Sequence, residues 1–199
     1  MKKVIVASNN PGKLREFAAL LAPLDIDAVA QSSLSIGEAE EPYATFVENA
    51  LAKARHAARA GGLPALADDS GICVPSLGGA PGVHSARYAG EPKSDQRNNE
   101  KLVAAVRASG QRAAFYYCAL VLVRSADDPR PIIADAAWHG EIVFDPKGEG
   151  GFGYDPYFWL PALNCTAAQL PAETKNRISH RGQALALLID KLRGERPLD

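Results

Sequence analysis

The apolar pattern alternates strands with helices over the first half of the chain and turns β-rich after that. Val4-Ile5-Val6-Ala7 fits a buried strand, Ser8-Asn9-Asn10-Pro11-Gly12 is turn chemistry, and Leu14, Phe17, Ala18 and Leu21 then recur at helical spacing until Pro23. Ile26 to Ala30 reads as a second strand. An acidic loop, Glu38-Ala39-Glu40-Glu41-Pro42, leads into a helix from about Thr45 to Ala60, which Gly61-Gly62 ends. Thr45 and Glu48 have capping-box spacing, which explains Glu48 structurally and leaves Glu40 and Glu41 without such a reason. The short apolar run Leu66-Ala67 precedes Asp68-Asp69-Ser70-Gly71, which reads as a strand end followed by a turn. Beyond Ile72-Cys73-Val74, the stretch from Gly78 to Gly90 reads as a long mobile loop carrying His84 and Arg87, a lid or, equally, a loop pinned to the body by its Arg and Tyr. Ser94 and Asp95 open a helix with an apolar stripe of Leu102, Val103 and Val106, and Gly110 closes it. Ala113 to Arg124, Ile132 to His139 and Glu141 to Phe144 predict an antiparallel meander. Tyr157 to Leu160 is a further strand, Thr166 to Leu170 a helical turn, and a last helix capped by Ser179 carries Leu185, Leu188, Ile189 and Leu192 on one face. The fold class predicted is α/β, a mixed central sheet with flanking helices.

Composition narrows this picture. A chain of 199 residues with 47% hydrophobic content can build one substantial core, so a single domain over 1–199 is expected, folded as two lobes around a cleft. The 22 Lys and Arg nearly balance 23 Asp and Glu, which removes any global pull toward nucleic acid. Cys73, Cys118 and Cys165 are odd in number and lack zinc or disulfide spacing, and they read as buried thiols in a reducing compartment. The apolar run after Lys2-Lys3 is too short for a signal peptide and no stretch approaches membrane-spanning length, so a cytoplasmic protein without a membrane partner is expected.

Several stretches carry candidate chemistry. The loop from Ser8 to Lys13, between a strand and a helix N-terminus, can cradle phosphate with backbone amides, or it can simply be a capped helix with a surface lysine. It is not a Walker A loop, because Leu14 stands where the magnesium-binding hydroxyl would be. Of Asp68 and Asp69, strand alternation lets at most one aim into a given site; a solvated turn is the competing reading. Lys53 reads from its helix as a surface residue. Gly148 to Gly153 formally contains G-x-G-x-x-G, but a strand follows where a dinucleotide fingerprint requires a helix. Its glycines more naturally let a flat ligand approach backbone, with Phe152 as a stacking surface or a core aromatic. His180 and Arg181, in the first turn of the last helix, oppose the helix dipole, which points to ligand contact or to an exposed basic turn.

Five motifs in one order change the weight of these signals. Ser8-Asn9-Asn10-Pro11-Gly12-Lys13, Phe46-Val47-Glu48-Asn49-Ala50, Ala67-Asp68-Asp69-Ser70-Gly71, Gly151-Phe152-Gly153-Tyr154-Asp155-Pro156 and Ser179-His180-Arg181-Gly182-Gln183-Ala184 together resemble the Ham1/RdgB family. That resemblance covers nearly the whole chain, with Ser8 where the family commonly has Thr. It implies an inosine/xanthosine triphosphate pyrophosphatase, usually a homodimer, that uses Mg²⁺ to hydrolyse ITP, dITP and XTP to monophosphate and pyrophosphate. It implies that Ser8, Asn9, Asn10, Pro11, Gly12 and Lys13 bind the triphosphate and that Asp69 is the general base. Metal ligation would fall to Asp69 with Glu40 or Glu41, and Lys53, Ser70 and Lys175 would touch substrate. Phe152, Gly153, Tyr154, Asp155, His180 and Arg181 would take the base, with donors from His180 and Arg181 suited to the O6 of hypoxanthine or xanthine.

Overall fold

The computed structural model describes residues 2–194. In chain order its elements are β1 (Lys2–Val6), α1 (Pro11–Leu21), β2 (Ile26–Ala30), α2 (Phe46–Gly61), β3 (Ala65–Cys73), α3 (Asp95–Ser109), β4 (Ala113–Val123), β5 (Ile132–Ile142), β6 (Phe158–Leu160), β7 (Cys165–Thr166), α4 (Ala172–Ile178) and α5 (His180–Gly194). The seven strands form one sheet in the order β2-β1-β3-β4-β5-β6-β7. β1 runs parallel to β2 and β3, and β6 antiparallel to β5 and β7, so the sheet is mixed as the pattern predicts. No helix among the described residues is long and apolar enough to cross a membrane.

The chain divides into two compact units, one of Met1–Asp69, Cys118–Asp135 and Ala184–Asp199, the other of Ser70–Tyr117 and Ala136–Gln183. In the first, α2 lies on the sheet through small residues. Ala50, Ala54, Ala57 and Ala58 pack with Ile5, Ala65, Ala67, Val121 and Val123. Alanine brings helix backbone close to strand backbone and puts α2 residues within reach of β3 side chains. Thr45 caps the helix by accepting from the Glu48 amide at 3.3 Å, and Gly62 ends it at φ 65°. The Thr45 hydroxyl also donates to the Glu48 carboxylate at 2.5 Å. The second unit has its own core of Ile72, Leu102, Val106, Tyr116, Trp138, Ile142, Tyr154, Phe158 and Leu160.

Four expectations are corrected. Asp68-Asp69-Ser70-Gly71 is no turn: β3 runs through it to Cys73, because apolar neighbours on both sides keep the segment extended and the acids are neutralised by lysines instead of solvent. Residues 78–90 are not a mobile loop: of the two readings the pinned one holds, with Ser85 and Asn98 as pins. Ser85 is buried, accepts from the Ile72 amide at 2.9 Å and donates to the Gly82 carbonyl at 2.6 Å, while Asn98 of α3 accepts from Ala89 N and donates to Ala86 O. The segments predicted as strands at 132–139 and 141–144 merge into the single strand β5, which is continuous through Gly140 and stops at Ile142, leaving Val143 and Phe144 outside it. Finally, Cys73 and Cys118 are buried free thiols, but Cys165 is only half-buried, lying in the two-residue strand at the end of the sheet order. α4 was not anticipated as a helix, since seven residues carry too little periodicity to read.

Gly140 makes the continuity of β5 possible. A Cβ there would lie 2.5 Å from the Trp159 carbonyl oxygen and 2.7 Å from the Phe158 ring. Gly140→Ala is therefore expected to destabilise the protein by about 1–3 kcal/mol through overpacking, read as a lower Tm in thermal unfolding. An unchanged Tm would show that β6 can move aside freely.

Candidate active site

The first unit brings together two acid–lysine pairs from one strand. Ala65, Ala67 and Asp69 alternate with Leu66, Asp68 and Ser70 along β3, so the two acids point to opposite faces. Asp69, on the face that packs against α2, lies 3.2 Å from Lys53 Nζ and accepts from Asn49 Nδ2 at 3.3 Å. Asp68, on the other face, pairs with Lys13 Nζ of α1 at 2.7 Å. Lys53 also meets Glu41 Oε1 at 2.6 Å, so one ammonium bridges two carboxylates. It is thus no surface lysine, as its helix alone suggested; Asp69 and Glu41 draw it inward.

Electrostatics in this cluster are unbalanced. Burial pushes the Asp69 carboxyl above its ordinary range, and Glu41 adds to this against the pull of Lys53 and Asn49. For Lys53, burial works to lower the pKa, but Asp69, Asp68 and Glu41 outweigh it and hold it above the usual lysine value. A buried carboxylate that remains above its normal pKa beside a lysine carries proton-accepting power that free aspartate lacks.

Around these acids the loops are tied by amide side chains. Asn10 caps α1, its Oδ1 accepting from the amides of Gly12 at 2.8 Å and Lys13 at 3.3 Å, with Pro11 at the first helical position. Ser8 Oγ accepts from the Asn10 amide at 3.2 Å. Side-chain oxygens therefore fill the anion-seeking positions of this loop. Asn9 donates to Glu38 at 2.9 Å and accepts from the buried Gln31 at 3.1 Å, which fastens the loop to the acidic stretch. Asn49 holds that stretch from the other side, binding both the amide and the carbonyl of Tyr43. Glu40, next to Glu41, is exposed.

The second unit gathers the remaining candidates. Asp155 is 2% exposed and accepts from the Phe152 amide at 2.8 Å, from Tyr116 Oη at 3.2 Å, and from Lys175 in a short ion pair. Lys175 Nζ also stands 5.1 Å from the centre of the Phe152 ring. Phe152 itself is 55% exposed, so of its two readings the core aromatic is ruled out. His180 is buried and stacks on Tyr116 with ring centres 4.7 Å apart and planes 7° apart. Arg181 is buried too and donates to Ser70 Oγ at 3.1 Å. Ser179 caps α5, its hydroxyl accepting from Gly182 N. Gly182 lets the junction close, since a Cβ there would lie 2.0 Å from the Asn176 carbonyl. Buried His180 and Arg181 exclude the exposed basic turn.

Three glycines of the glycine-rich run lie close against the chain itself. Gly148 and Gly150 lie against the Ala168 backbone, and a Cβ on Gly151, at φ 73°, would sit 2.0 Å from Asp155 Oδ2. These glycines admit the chain's own backbone and carboxylate. Gly153 is held by α3, donating to Asp95 Oδ2 at 3.0 Å and accepting from Asn99 at 2.9 Å. Tyr154 points into the core, where its hydroxyl donates to the Ser85 carbonyl at 2.7 Å and burial raises its pKa. Four residues receive no site role from the sequence: Asn49, Tyr116, Asp95 and Asn99. Asn49 stands there only inside the Phe46–Ala50 motif and Asp95 only at a helix start; the signal for Asn49 is a polar residue four positions before Lys53 on a helix that packs mainly through alanine.

Known proteins carry the same chain organisation. The model of the Ham1 family matches residues 4–191. A dITP/XTP pyrophosphatase of Bordetella pertussis is 64% identical, with all of this chain and 95% of that protein aligned, and one of Nitrosomonas europaea is 63% identical over 96% and 95%. The solved structure of a HAM1 protein from Coxiella burnetii superposes with a TM-score of 0.94 at 45% identity, covering 98% of this chain and all of that one. With a family match over nearly its whole length and relatives this similar end to end, the chain belongs to the Ham1 family.

Proposed function

We propose that the chain hydrolyses the non-standard purine nucleoside triphosphates ITP, dITP and XTP to monophosphate and pyrophosphate, and so keeps them out of DNA and RNA. The observation that carries this reading is the cluster of Glu41, Lys53 and Asp69, a buried base beside a second carboxylate and a cation. The family membership and the relatives named dITP/XTP pyrophosphatase support it. The working unit is the whole domain 1–199, as a homodimer in the cytoplasm.

The donor set fits Mg²⁺. Asp69 and Glu41 are hard oxygen donors that already share one cation, the Lys53 ammonium, and Mg²⁺ takes one or two carboxylates with water and substrate phosphates completing its shell. Asp69 and Glu41, in preference to the exposed Glu40, would hold it. When bound, Mg²⁺ would offset phosphate charge and polarise the phosphoryl group under attack.

The chain's own residues do the rest. Asp69 accepts the proton of a water that attacks the α-phosphorus, and pyrophosphate leaves. Lys13 and Lys53 offset the charge of the triphosphate, and Asn10 Oδ1 yields the Gly12 and Lys13 amides to a phosphate oxygen. Phe152 stacks on the purine. Asp155, with both oxygens engaged by protein donors, acts on the base through Phe152 and Lys175. His180 and Arg181 donate toward O6. Adenine presents an N6 donor there and would leave buried donors unpaired, which is costly enough to discriminate. The test is a panel of triphosphates with Mg²⁺ in which pyrophosphate and orthophosphate are scored separately; release of orthophosphate alone would overturn the reading.

Two substitutions sharpen it. Asp69→Asn is expected to cut kcat by at least ~10³, the scale of a lost general base, while nucleotide binding by calorimetry persists. Because the folded pKa of Asp69 lies above its unfolded value, its charge costs stability above the unfolded pKa, and the cost fades as pH falls through the folded pKa. The Tm of Asp69→Asn at pH 7 should accordingly equal or exceed that of the parent, and retained full turnover would remove Asp69 from the role. Arg181→Ala is expected to narrow the kcat/KM preference for ITP over ATP by roughly tenfold or more, the loss of a charged hydrogen bond. An unchanged ratio would exclude Arg181 as a base reader.

A further inference from the structure

We infer that Tyr116 is a positioning residue for base recognition, its hydroxyl fixing Asp155 and its ring fixing His180. This rests on the proposed assignment of Phe152, Lys175 and His180 to the nucleobase. Tyr116 is buried on β4 and touches two elements far apart in sequence. Its hydroxyl donates to Asp155 Oδ1, while Asp155 Oδ2 takes the Phe152 amide and the Lys175 ammonium. A carboxylate rotates about one bond, so a donor on one oxygen sets where the other oxygen lies. Through that oxygen it sets the Phe152 backbone and the Lys175 head.

The ring has a second task. It lies 7° from parallel to the His180 imidazole, with Trp138 a third nearly parallel ring, 23° from Tyr116 and 21° from His180. Phe158 meets Tyr116 at 61° with centres 4.7 Å apart, which stops the phenol from turning. The imidazole therefore cannot tilt without losing its stack, and its nitrogens keep one direction. Burial, with Asp155 adjoining, raises the Tyr116 pKa well above that of free tyrosine, so the hydroxyl remains a donor at working pH. A core tyrosine needed only for volume would require neither contact.

Tyr116→Phe in the full chain keeps the ring and its packing and removes the donor. With ITP and ATP as substrates and Mg²⁺ present, KM for ITP should rise about tenfold, as for the loss of a hydrogen bond to a charged group. The kcat for ITP should hold within about twofold, and KM for ATP should move less, because the change lies in base binding and leaves the attack on phosphorus untouched. Inhibition by tripolyphosphate, which has no base, should be unaltered. In the double variant Tyr116→Phe with Asp155→Asn the loss should be no greater than in Asp155→Asn alone, since Tyr116 acts through Asp155. Equal changes with ITP and ATP, weaker tripolyphosphate inhibition or additive losses would each overturn the inference. A parent enzyme that does not prefer ITP to ATP would instead overturn the functional reading, and this inference with it.

Discussion

A carboxylate taken out of water must find a cation or give up its charge, and β3 sets that demand twice in succession. The alternation of an extended chain sends Asp68 to one face and Asp69 to the other, so a single lysine could not serve both. Two helices answer, α1 with Lys13 and α2 with Lys53. Much of the first unit follows from this. α2 has to approach β3 closely enough for Lys53 and Asn49 to reach Asp69, and its alanine face allows that approach. α1 has to start where Lys13 can reach Asp68, and Asn10 and Pro11 fix that start. The acidic stretch is then drawn in by Asn49, Asn9 and Lys53 together.

The second unit solves a similar problem with one acid. Asp155 is as buried as Asp68 and sits under a backbone that only glycine permits at position 151. Its donors come from three places: the adjacent loop at Phe152, β4 at Tyr116 and α4 at Lys175. α4 spans only seven residues, too short to stand without tertiary support. The ion pair of Lys175 and the close α4–α5 junction at Gly182 supply that support, and the junction sets where His180 and Arg181 emerge.

Helices and strands with a full period of apolar residues were legible, as α1, α2, α3, β1, β2 and β4 illustrate. Their ends were legible where a cap has its own chemistry, as with Thr45, Ser94, Gly62 and Gly110. What misled was composition read locally. Asp-Asp-Ser-Gly has turn chemistry in water, but lysines supplied from 16 and 55 residues earlier make it strand, and no window of sequence contains those partners. Residues 78–90 are rich in glycine, yet Ser85 and Asn98 pin them through long-range bonds. Tyr116 and Asp155 stand 39 residues apart and carry no shared motif, so their hydrogen bond was invisible. The site motifs were recognised by order and resemblance; the residues behind them were not.

Buried acids are paired with lysines in this chain, Asp68 with Lys13, Asp69 with Lys53 and Asp155 with Lys175. Such pairs rarely stabilise a fold more than apolar residues of the same volume would, because desolvation takes back most of the attraction. Stability therefore gives little reason for them. Orientation gives a better one. A lysine held by a buried carboxylate forgoes the rotamer freedom that it would otherwise lose on meeting an anion, so its ordering is complete before the ligand arrives. Asp69 gains in the opposite direction, since burial, with Glu41 adding to it, leaves its charge undercompensated despite Lys53. On the proposed reading, Asp68 and Asp155 hold cations ready for phosphate and base, and Asp69, its carboxyl pushed up by burial and by Glu41, takes the proton.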